Sequence, residues 1–153
     1  MEIVSSQTFT AQTSITASGL SAGRYKVFIS MTQNDSTANQ FFRFNGDTGA
    51  NYNYGAGYAQ PGGMSYGGAT GQTSINTSFG GMSATGDGYF DWSFSTEHNT
   101  AAKVSMTGLT STQNGTYCYW GGGRYVGASS ISSITFYTSA GTMTGVMTVY
   151  KLN

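Results

Sequence analysis

The chain has 153 residues, only 8% of them charged, and six basic residues balance six acidic ones. Soluble domains average about 25% charged residues, so Ser, Thr, Asn, Gln and Tyr must solvate this surface. The balance excludes a basic nucleic-acid footprint and a polybasic membrane patch, and the one cysteine excludes an internal disulfide and any multi-cysteine zinc site.

In chain order, Met1–Ser6 lacks the basic and apolar regions of a signal peptide, so synthesis without a classical export signal is expected. Thr8–Thr10 and Ser14–Thr16 predict one or two opening strands. Tyr25–Met31 alternates, with Tyr25, Val27, Ile29 and Met31 on one face, and Phe41–Phe44 follows a turn at 34–36. The Gly-rich stretch 55–71, which contains the only proline, Pro61, reads as a long loop. Ser74–Phe79 is a weaker strand. Tyr89–Ser95 is the clearest: Phe90, Trp92 and Phe94 face one way, Asp91, Ser93 and Ser95 the other. Lys103–Met106, Thr116–Trp120, Ile131–Tyr137 and Gly145–Leu152 complete the series. No segment shows helical spacing, and none approaches the roughly 20 apolar residues of a spanning helix. The pattern predicts an all-β, jelly-roll-like antiparallel β-sandwich of about 8–10 strands, a single domain over 1–153. Tyr150 and Leu152 put the closing strand either inside its own sheet or on a neighbour's edge; pairing at home is the expectation.

Little in the sequence points to catalysis. His98 is the only histidine, which excludes a two-imidazole metal site, and Glu97–Thr100 reads as a polar turn. Cys118 alternates with Thr116 and Trp120 and is expected to be a small buried thiol. Asp87 and Asp91 would lie about 13 Å apart on a strand, too far for a glycosidase pair. Asp87–Gly88 reads as a turn, and Asp91 faces solvent or a subunit contact.

Asn45–Tyr54 is the most distinctive segment. Oxygens of Asn45, Asp47, Asn51 and Asn53 make a weak calcium candidate, in a spacing only loosely that of an EF-hand loop and without its acidic twelfth position. The structural reading is a tight turn, with Gly46 and Gly49 at positive φ. No resident metal or cofactor is expected. Tyr52, Tyr54, Tyr58 and Tyr66, with Trp92 and Trp120, are candidate ligand or subunit contacts, able to stack on sugar rings or fill an interface; the alternative is self-packing at the end of the sandwich. Asn-X-Ser/Thr triplets occur at Asn34, Asn76 and Asn114 and matter only in a glycosylating compartment.

Three segments, in order, resemble small bacteriophage virion structural proteins of the appendage or decoration type. Gly19–Val27 resembles their "G-L-x-x-G-x-Y" opening, and Arg43–Tyr52 is similar to their "R-F-N-x-D-x-G-x-N-Y" motif. Ile131–Phe136 with Thr144–Leu152 resembles their closing pair. The resemblance implies a jelly-roll-like sandwich in a virion appendage, decoration protein or fibre tip, and it transfers no catalytic residue. Zero net charge leaves self-association less opposed than usual. The expected function is therefore a non-enzymatic, self-assembling virion protein, located in a virion or extracellular assembly, with host-surface or glycan adhesion as an added role. Its expected partners are itself, other virion proteins and surface glycans, with no nucleic acid and no membrane insertion. A subunit of an extracellular β-rich filament and a free carbohydrate-binding module are the alternatives.

Overall fold

The computed structural model describes residues 1–34, 38–60, 62–78, 86–97, 104–112 and 118–153. His98, Asn114 and Pro61 lie outside these, as do Phe79, Lys103, Thr116, Tyr117 and the 35–36 part of the predicted turn. Among the described residues the chain forms twelve strands and no helix.

Eight strands build a large antiparallel sheet. They are β1 (Glu2–Gln12), β3 (Arg24–Gln33), β5 (Tyr52–Gln60), β6 (Gly63–Gln72), β8 (Gly86–Ser95), β9 (Val104–Thr112), β10 (Cys118–Tyr125) and β12 (Met143–Leu152), in the order β1-β12-β3-β8-β9-β10-β5-β6. The small sheet holds β2 (Ser14–Ser18), β4 (Gln40–Phe44), β7 (Ile75–Asn76) and β11 (Ser133–Thr138), in the order β2-β11-β4-β7. The chain passes repeatedly from one sheet to the other, which gives the jelly-roll-like sandwich that the strand series predicts. β12 pairs with β1 on one side and β3 on the other, so the closing strand is internal and the large sheet's edges are β1 and β6.

Alternation explains the core. Tyr25, Val27, Ile29 and Met31 of β3 and Phe90, Trp92 and Phe94 of β8 are all buried. They meet Phe42, Phe44, Ile134 and Phe136 of the small sheet, whose rings interlock with theirs. Phe42 packs on Trp92 at 5.9 Å, Phe44 on Phe94 at 5.4 Å and Phe136 on Phe90 at 4.8 Å between centroids. Side chains of this size contribute roughly 1.5–3 kcal/mol each on full burial.

The stretch 55–71 is not a long loop. Most of it is the β5–β6 pair, in register from Gln60↔Gly63 to Tyr54↔Ala69. Its glycines carry no apolar side chains to alternate, so the pattern that marks other strands is silent there.

Candidate functional site

The Asn45–Tyr54 segment is a clamped turn. Asp47 Oδ1 accepts the Gly49 amide N–H (2.7 Å); Oδ2 accepts Asn51 Nδ2 and the Tyr125 hydroxyl, each at 2.8 Å. These donors, the Gly49 amide foremost, hold the Asp47 carboxyl below the usual carboxylate range. Burial, with the Asp47 bond second, pushes the Tyr125 phenol up to about 12. Tyr52 is buried and accepts the Phe44 N–H at 3.0 Å; desolvation drives its pKa well above the ordinary tyrosine value.

Asn45, at φ 52, turns its Oδ1 to the N–H groups of Ser132 and Ser133, and Asn53 Oδ1 accepts Gly71 N–H. The four calcium candidates are therefore engaged within the protein: side-chain oxygens of Asn45, Asp47 and Asn53 accept protein donors, and Asn51 gives its Nδ2 to Asp47. Gly46 has φ +64, whereas the second positive φ of the turn belongs to Asn45 and not to Gly49.

The aromatic candidates divide between inside and outside. Tyr52 and Trp92 are core residues and cannot serve as surface contacts, which corrects that expectation. Trp92 lies flat on Gly108, its register partner, and donates its Nε1–H to Thr110 Oγ1 at 3.1 Å. Tyr54 is partly buried against the core, and Tyr58 packs on buried Tyr119 at 5.6 Å. Trp120 and Tyr66 are exposed, at 40% and 90%.

Cys118 is exposed, not buried. It shares its face with Trp120 as alternation requires, but that face points away from the core, and buried Tyr119 takes the inner position. Asp87 accepts Thr32 Oγ1 at 2.6 Å, while Asp91 pairs with Lys26 at 3.2 Å, so β3 holds the two carboxylates separately. Asn76 is buried, and Asn34 is tied to Thr142 through both ends of its amide.

The outer face of the large sheet brings the remaining features together. One cross-strand row reads Thr148, Phe28, Asp91, Leu109, Trp120, Gly57 and Tyr66 from β12 to β6. Two concavities flank it. Over β12, β3, β8 and β9 runs a groove of about 460 Å³ whose apolar walls are Phe28, Tyr89, Leu109 and Val146. Over β10, β5 and β6 lies a shallow trough of about 600 Å³ bordered by Asn53, Thr70 and Arg124. Trp120 and Tyr66 are the expected contacts on this face; Phe28, Tyr89, Leu109 and Arg124 join them only through the structure. The outward half of each alternating strand was a usable signal for them.

No known family's sequence profile matches the chain, nor does any curated protein sequence. Among solved structures it is similar to the galectin LEC-6 of Caenorhabditis elegans, at 8% identity and TM-score 0.40, covering 94% of this chain and 93% of that one. It is also similar to a prokaryotic β-1,3-1,4-glucanase from a mouse hindgut metagenome, at 9% identity and TM-score 0.25, over 87% and 68% of the two chains. Likeness of this order transfers neither a residue role nor an activity.

Proposed function

We propose that this chain is a non-enzymatic, self-assembling structural subunit of a bacteriophage virion, and that it associates with further copies through the outer groove of its large sheet. The observation that carries the reading is the contiguous apolar surface of Phe28, Tyr89, Leu109 and Val146. Contiguous apolar patches on soluble proteins mark interaction sites. The occupant that fits is a second copy. The chain is electrically neutral, and the charges beside the groove, Lys26 and Asp91, compensate each other, so two such faces meet without repulsion. The virion setting rests on the resemblance of the Gly19–Val27, Arg43–Tyr52 and closing segments.

Negative-stain electron microscopy of the untagged protein at physiological salt tests assembly. Closed particles or regular filaments are the expected result. Monomers at every concentration would overturn it.

A further inference from the structure

At the β10-β5-β6 end of the outer face, three glycines stand in register: Gly122 opposite Gly55, and Gly55 opposite Gly68. With no side chain on any of them, they leave a bare floor about 10 Å across, two inter-strand spacings. One step along the strands on one side stand Trp120 and Tyr66; one step on the other side stand Arg124 and Asn53. Trp120 lies against Gly57, where an added Cβ would come within 2.7 Å of the indole. The ring is thereby laid down as a platform rather than left upright.

The polar side is equally well defined. Asn53 Oδ1 is engaged by Gly71 N–H at 3.0 Å, and its NH₂ group has no partner among the described residues. Arg124 is exposed and has no ion-pair or hydrogen-bond partner among the described residues. It is also the only charged residue of β5, β6 and β10.

We infer that this trough binds a carboxylate-bearing saccharide. A saccharide running along β10 stacks the C–H face of one ring on the Trp120 platform, beside Tyr66, and rests the next on the glycine floor, where Arg124 takes the carboxylate in a forked hydrogen bond and Asn53 donates to a hydroxyl. The separation of about 13 Å between Trp120 and Arg124 along β10 admits one to two sugar rings. A lone arginine cannot hold the successive phosphates of a nucleic acid, and a flat floor offers no pocket for a peptide side chain. The site stands apart from the apolar groove and does not depend on the assembly proposal.

Calorimetric titration with a panel of uronic-acid and sialic-acid oligosaccharides, beside their neutral counterparts, tests the inference. Saturable binding to an acidic member is expected. Arg124→Gln should lower that affinity at least tenfold, to the level of the neutral counterpart. Trp120→Ala should abolish binding to both. Gly55→Leu should block the floor without unfolding, because no atom lies closer than 4.0 Å to a Cβ placed there. Val146→Asp, in the groove but on β12, four strands from Trp120, should leave sugar affinity unchanged whatever it does to assembly. No saturable binding across the panel at millimolar concentrations would overturn the inference. So would an Arg124→Gln variant that still prefers the acidic sugar.

Discussion

The two tryptophans of this chain are held by the same device on opposite faces of one sheet. Trp92 lies on Gly108 and Trp120 lies on Gly57, each glycine being the register partner of its indole. The surroundings differ. Trp92 is capped by Phe42 of the small sheet and has its Nε1–H satisfied by Thr110; Trp120 has no second sheet above it and keeps 40% of its surface exposed. A glycine that lets an aromatic ring lie flat therefore serves packing where a second layer closes over the ring, and leaves the ring open to solvent where none does.

Substitutions can break or sharpen that contrast. The largest effect is expected from Trp92→Ala, which should cost about 3–5 kcal/mol by leaving a cavity between the sheets, while Trp120→Ala should cost about 1 kcal/mol or less. Chemical denaturation of the two variants measures both, and equal losses would erase the distinction. Next come the glycines. Gly108→Ala forces a methyl to within 2.5 Å of the Asp91 carbonyl oxygen and of the Trp92 ring, neither of which can retreat, and should cost about 1–3 kcal/mol. The three atoms nearest the methyl of Gly57→Ala all belong to the Trp120 indole, which can swing into solvent. It should leave the unfolding midpoint nearly unchanged and shift Trp120 emission to the red.

An effect smaller than that of Gly108→Ala concerns the clamped turn at Asp47. The Asp47 carboxyl titrates below its ordinary value in the folded chain, so its contribution is present at neutral pH and is lost as pH falls through the folded pKa. Asp47→Asn should lose about 1 kcal/mol at pH 7, and the gap to wild type should close in acid below the usual carboxylate range. Thermal melts of the two proteins from pH 7 to pH 2 check the convergence.

Much of the sandwich was legible in the sequence. Tyr25–Met31 and Tyr89–Ser95 alternate so regularly that their buried faces could be named residue by residue. The Gly-rich stretch hides its strands because β6 pairs only with β5 and brings no residue of the buried core, while the anchors of β5, Tyr52 and Tyr54, precede the glycines. Alternation also groups residues by face without saying which face is inner. It puts Cys118 and Trp120 together, yet Tyr119 between them is the residue that goes inside. Tyr52 looked like a loop aromatic, and only the return of Phe44 and Asp47 onto its hydroxyl shows why it is buried. The trough is illegible for a simpler reason: its bordering side chains and three glycines meet only through the pairing of three strands.

The proposed assembly stands on self-association through the outer face of the large sheet. It is tested most directly by sedimentation equilibrium of the wild-type chain beside Leu109→Asp, which places a charge in the apolar groove at an exposed position. The account predicts an assembled wild type and a monomeric variant with an unchanged melting temperature. A wild type that stays monomeric, or a variant that assembles as the wild type does, would contradict it.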